Sequence, residues 1–301
     1  MSANCRNAPL IGLAFLNIFL FLCIFRIYGK LNDLDKLIVQ EFKTLERHSP
    51  LHEESSLNSP SEVHPTTIEL YQSQSQIRKQ KLKDLKDTYG WLVLYNVLVP
   101  EVFCKDLVRI GTVIDGGKWV CNPIHMREFE ACTVYSMGIH NEPSFEEEFA
   151  KFTHKKCFIR SFDKDNQNPQ TLKKIENSNG TFMKALISSE TNKSANSYNM
   201  RSLMEIFQDK KIDILKIDIE GFEYQIIEDL TSIPMCQILI EVHGRTPTRT
   251  LEFLRKISQS GYYLFNYEIN GALHKLSEYS FIHQNCLKDY GVNVVFGRYL
   301  S

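Results

Sequence analysis

The sequence has no surplus of either charge. In 301 residues, 35 Lys and Arg stand against 36 Asp and Glu, a formal net charge of −1. Without a basic excess, nothing argues for a nucleic-acid partner. No Cys-x-x-Cys pair occurs, which argues against a zinc site of that type. No internal repeat stands out, so repeat architectures are set aside. What remains is a 43 % hydrophobic chain long enough for one large domain with appendages.

The residues present are unevenly spread. Residues 8–25, APLIGLAFLNIFLFLCIF, carry no charge. As a helix they rise roughly 27 Å, close to the thickness of a bilayer core. Arg26 can snorkel, which extends the span to 28. The alternative is a cleaved signal peptide, but the run is followed by Phe25, Arg26, Ile27 and Tyr28 rather than a small-x-small site. The reading is a tail (1–7), a single-pass signal-anchor (8–28), and a stem and linker (29–88). The linker includes the Ser-, Pro- and Glu-rich stretch 48–66, and a solvated helix is expected over 67–88. Basic residues lie on both sides of the span, so they leave its orientation open. Six cysteines follow the anchor, an even number that permits disulfides. Two sequons, at Asn179 and Asn192, would be glycosylated only in a lumen. Together these favour a luminal (Golgi or ER) or extracellular C-terminal domain.

From 89 to 301 the pattern alternates. Apolar runs at 132–139, 156–162, 182–187, 212–219, 236–242, 262–267 and 292–296 predict strands. Helical stretches at 143–153, 169–177, 199–209, 222–230 and 248–260 separate the first six. This predicts an α/β domain with a mostly parallel sheet covered on both faces. The segment 268–291 reads as irregular, leading to a last strand that returns antiparallel.

Ligands of such sheets sit beyond the carboxyl ends of the strands. There the sequence places Ser136 and Gly138, then Asp163, then Asp218-Ile-Glu220-Gly221, then Glu241-Val-His243. Any one acid could merely cap a helix; four rim positions together point to a site. An acid ending the second strand suits the two hydroxyls of an adenosine ribose. The turn after the first strand holds one glycine, Gly138, where a dinucleotide loop holds three. This favours S-adenosylmethionine, which has no phosphate, over NAD. The absence of a Tyr-x-x-x-Lys pair near the fourth strand also disfavours an NAD-linked oxidoreductase. Asp213 opens the fourth strand at the opposite end and reads as structural.

The strings DGGKWVC (115–121), VYSMGIHNEPSFEEEFA (134–150), FIRSFD (158–163), DILKIDIEGFEY (213–224) and ILIEVHG (238–244) resemble membrane-anchored methyltransferase-like proteins related to the FkbM-type class I methyltransferases. The resemblance spans roughly 89–300. It implies a Rossmann-like sheet of seven strands with the last antiparallel, S-adenosylmethionine as cofactor, and methylation of oxygen, such as a sugar hydroxyl. Asp115, Gly116, Gly117, Ser136, Gly138 and Asp163 are the candidate cofactor-binding residues. Asp218, Glu241 and His243 are the candidate catalytic residues, since a hydroxyl acceptor must lose its proton. Asp218, Glu220 and Glu241 offer oxygens to a divalent ion, but the spacing does not demand one. Lys118 and Trp119 belong to core or rim. The competing reading is an anchored binding or scaffold module that keeps the fold without catalysis. Finally, Cys132 and Cys157 each stand six residues before a rim residue, Gly138 and Asp163. On neighbouring parallel strands they would lie level, either bonded or as two buried thiols.

Overall fold

The computed structural model describes residues 63–113 and 116–301. The expected tail, anchor and most of the stem lie outside the described residues, as does Asp115. Among the described residues, no helix is long and apolar enough to cross a membrane.

The chain builds a seven-stranded sheet from β3 (Cys132–Met137), β4 (Cys157–Asp163), β5 (Gly180–Lys184), β8 (Ile212–Ile217), β9 (Met235–His243), β10 (Tyr262–Ile269) and β11 (Leu276–His283). Their order is β10-β11-β9-β8-β3-β4-β5. β3, β4, β5, β8 and β9 run parallel, and β11 lies antiparallel between β9 and β10. A hairpin of β1 (Val108–Ile110) and β2 (Lys118–Val120) precedes the sheet, and β6 (Leu186–Ile187) pairs with β7 (Ser197–Tyr198) beside it.

The helices form where sequence supplies starts. Asn168, Asn199 and Thr246 each accept a hydrogen bond from the backbone three residues on, opening Pro169–Asn177, Met200–Phe207 and Pro247–Gln259. Pro169 and Pro247 add a preset φ at the first helical position. The stretch expected as one helix over 222–230 is a 3₁₀ turn, Glu223–Ile226, followed by the short helix Ile227–Ser232. Two apolar clusters separate the faces. One includes Leu215 and Ile217 with Leu203, Leu230 and Leu254 from the helices. The other includes Val134 and Ile214 with Phe145, Phe149 and the hairpin's Val120.

Two expectations need correction. Residues 292–296 are not the seventh strand; Val295 makes one isolated bridge, to Val102. The antiparallel strand is Leu276–His283, in the segment read as irregular. Its polar residues are satisfied by partners distant in sequence: Glu278 by Lys118, 2.5 Å away, and Ser280 by the carbonyl of Trp119 at 3.2 Å. Second, the helix Pro65–Lys83 is held by the domain expected to begin at 89. Tyr71 stacks on Phe296 with ring centres 4.4 Å apart, Arg78 donates to Val97, and Lys79 donates to the carbonyl of Ser301.

Six described cysteines form three disulfides: Cys104–Cys121, Cys132–Cys157 and Cys236–Cys286. Cys132 and Cys157 are register partners with Cα atoms 4.6 Å apart. Of the two sequence readings, the bond holds. Asp213 is structural: it is buried, and its carboxylate accepts from the amide of Thr133 at 2.8 Å.

Candidate active site

The carboxyl ends of β3, β4, β5 and β8 open into one cavity of about 610 Å³. Its walls carry Gly116, Gly138, Asp163 and Asp218, together with Lys216 and the apolar group Ala185, Leu186, Ile187 and Phe222.

The turn leaving β3 is tightly wound. Gly138, His140 and Asn141 all have positive φ, at 83°, 48° and 58°. Gly138 is demanded by sterics: a Cβ there would overlap the carbonyl oxygen of Asp218. The close approach at this glycine is to the neighbouring strand end. Two of the turn's amides are committed to side chains. His140 N–H donates to Asp163 at 2.8 Å, and Asn141 N–H donates to Gln167 at 2.6 Å. The other oxygen of Asp163 accepts from the amide of Asp165 at 2.8 Å. A carboxylate has about four acceptor sites, so Asp163 keeps capacity for a ligand after ordering the loop.

The remaining candidates from the first half of the site divide. Gly116 reaches the cavity, with φ 84°, and a Cβ there would stand 2.6 Å from a carboxylate oxygen of Glu142. Gly117 does not line the cavity; a Cβ on it would run into Arg109 and the carbonyl of Thr112 inside the hairpin. Ser136 does not reach it either. Its buried hydroxyl is bound to the carboxylate of Glu146, which is also fully buried. Alternation explains this: Ser136 points onto the face covered by the helix Ser144–Phe152, below the rim.

Beyond the cavity, β8 and β9 bring Asp218, Glu241 and His243 together, one ligand atom from each lying within 4.8 Å of the others. No hydrogen bond engages the carboxylate of Asp218 among the described residues, so it caps no helix. Glu220 and Gly221 take positive φ, 55° and 97°, and turn the chain sharply behind it. Glu241 pairs in register with Glu278. Burial, then the charges of Asp218 and Glu278, push its carboxyl up to about 8 despite the opposing pull of Lys118. Lys118 is buried, 2.5 Å from Glu278 and 3.8 Å from Glu241. Burial opposes its charge, but these carboxylates and Asp218 outweigh it, and its pKa is raised.

His243 is held at both ring nitrogens, Nδ1 3.1 Å from Glu223 and Nε2 3.3 Å from Glu220. The hydrogen bond to buried Glu223 is the main reason its pKa rises to about 9. At neutral pH it is an imidazolium with no lone pair to give a metal. The three residues would bracket a divalent cation only after His243 surrendered a proton.

Sequence reading missed Lys216, Glu223 and Glu278, and left Lys118 unassigned. The signal for Lys216 was available: it is the one cation inside the otherwise buried strand IDILKI. Glu278 offered none, since its partner Lys118 is remote, and nothing local ties Glu223 to His243, 20 residues on.

Among curated proteins, none matches the chain. Solved structures with a likeness to it include TrmK of M. capricolum in complex with S-adenosyl-homocysteine, its natural cofactor product. That likeness has 13 % identity and a TM-score of 0.34, and covers 54 % of this chain and 67 % of that one. A family profile described as a methyltransferase domain matches residues 62–283. That match takes in more than half of the chain, including every strand of the central sheet, and the chain belongs to this methyltransferase-domain family.

Proposed function

We propose that the protein is an S-adenosylmethionine-dependent O-methyltransferase, held at a membrane by a helix over 8–28, with its domain in an oxidising lumen or outside the cell. One observation carries the cofactor reading. Two amides at the β3 turn, those of His140 and Asn141, are engaged by Asp163 and Gln167 rather than left for a pyrophosphate, and acids including Asp163, Asp218 and Glu220 line the cavity. Such a wall repels a diphosphate and suits a sulfonium cation. The cofactor supplies a methyl group on positively charged sulfur, transferred by in-line displacement.

The protein's own residues do the rest. Asp163 would hold the ribose hydroxyls. The apolar wall of Ala185, Leu186, Ile187 and Phe222 would take the base. Asp218, whose carboxylate no described residue hydrogen-bonds, faces the cavity from its β8 side. Glu241, with its carboxyl near 8, is matched to accept a proton from a hydroxyl such as that of a sugar. His243, charged and pinned, keeps the surrounding acids neutralised and in place. Orientation of the reactants contributes several kcal/mol beyond this.

The disulfides support the location, because such bonds persist in oxidising compartments. Calorimetric titration with S-adenosylmethionine, followed by methyl transfer from labelled cofactor to a panel of sugars, tests the function. Asp218→Asn loses no hydrogen bond to a described residue, so the variant should fold normally and lose activity. A folded, cofactor-binding protein that methylates nothing, and in which this substitution changes nothing, would support the non-catalytic scaffold instead.

A further inference from the structure

Among the described residues, Lys216 is a buried cation without an anion in ion-pair reach. It lies in the middle of the sheet, paired in register with Ser136 and Leu239, and is 2 % exposed. Its Nζ donates to the carbonyl of Gly138 at 3.1 Å. Among the described residues, no carboxylate stands within 4.0 Å of it. The contrast is Lys118, equally buried on the same side of the sheet, which has two glutamates. Buried ammonium groups are otherwise paired, because an uncompensated one is strongly destabilising. An ammonium has three donors, and one carbonyl uses one of them. The side chain lines the cavity beside Gly138 and Asp218, so its remaining donors are within reach of a ligand bound there.

We infer that Lys216 is the anchor for the α-carboxylate of the cofactor's amino-acid portion. The inference rests on the proposed cofactor and deepens it. That carboxylate is the only anionic group S-adenosylmethionine carries. Lys216 and the carboxylates of Asp163 and Asp218 then divide the ligand by charge: one cation for its acid, and acids for its diol and sulfonium.

The test is a cycle of two ligands and two proteins, read by calorimetry on the full chain. The ligands are S-adenosylhomocysteine and its decarboxylated analogue, which lacks only the carboxylate. The proteins are wild type and Lys216→Met, with circular dichroism to confirm folding. Wild type should bind S-adenosylhomocysteine roughly 10- to 100-fold more tightly than the analogue, as for a hydrogen-bonded ion pair. Lys216→Met should abolish that preference by weakening only the carboxylate-bearing ligand. Equal affinity of wild type for the two ligands overturns the assignment, and this arm needs no variant. Equal losses for both ligands in Lys216→Met overturn it too, since they would mean that Lys216 merely shapes the cavity. Failure of wild type to bind either ligand would instead remove the cofactor reading on which the inference stands.

Discussion

At the scale of single residues, the site separates side chains that order the protein from those left for a ligand. Asp163 does both, because each oxygen accepts one backbone amide and retains further capacity. Asp163→Ala should therefore weaken S-adenosylhomocysteine binding by about 1.5–3 kcal/mol, the range for hydrogen bonds to a charged group. Titration calorimetry measures it, and unchanged affinity in a folded variant removes the ribose assignment. Glu241 makes a prediction in pH. Its carboxyl is pushed up to about 8, and a base acts only when deprotonated. Thus kcat/KM should rise with pH and level off above that value. Glu241→Gln should flatten this limb and lower the rate by roughly 10²–10⁴. A wild-type profile flat from pH 6 to 9 would sink the assignment. Of these residues, Asp163, Asp218, Glu241 and His243 were legible in the sequence because strand ends are recognisable from apolar runs. The fates of Ser136 and Gly117 were not legible. Whether a rim residue faces the cavity depends on the last few degrees of strand twist and on what covers the strand.

At the scale of elements, the parallel core strands follow from short apolar runs with capped helices between them, which local chemistry dictates. Strand β11 does not. A segment containing Ser277, Glu278 and Ser280 becomes a sheet strand because the β1–β2 hairpin lies across it and supplies Lys118 and the carbonyl of Trp119. The disulfide Cys236–Cys286 ties the start of β9 to the turn after β11 across a separation of 50 residues. Loop-closure entropy for that span is about 4 kcal/mol, or roughly a 10 °C change in melting temperature for a domain of this size. The double variant Cys236→Ser, Cys286→Ser should show a loss of that order by scanning calorimetry. A change under 2 °C would mean that the bond constrains little.

For the whole molecule, the two sequons differ once folded. Asn179 has a positive φ, and its amide donates to the carbonyls of Lys155 and Cys157, so a glycan there would displace both bonds. Asn192 is exposed, and Ser194 donates to its side chain at 2.7 Å. Expressed in a secreting eukaryotic cell, the full chain should carry one glycan. An endoglycosidase shift should be abolished by Asn192→Gln and kept in Asn179→Gln. Absence of any shift, with an added C-terminal sequon also unmodified, would place the domain outside the lumen.

The sequence by itself determined the strand–helix alternation, the acids at the rim, the one-glycine turn and the level pair Cys132 and Cys157. Each is a property of a short stretch and its local period. Tertiary structure alone decided the identity of the seventh strand, the pairing of Lys118 with Glu278 across 160 residues, the clamp of two glutamates on His243, and the burial of Lys216 against the carbonyl of Gly138. Those outcomes depend on which charges are brought together out of water. In a buried setting an ion's stability is set by neighbours a few ångströms away in space, whatever their distance along the chain.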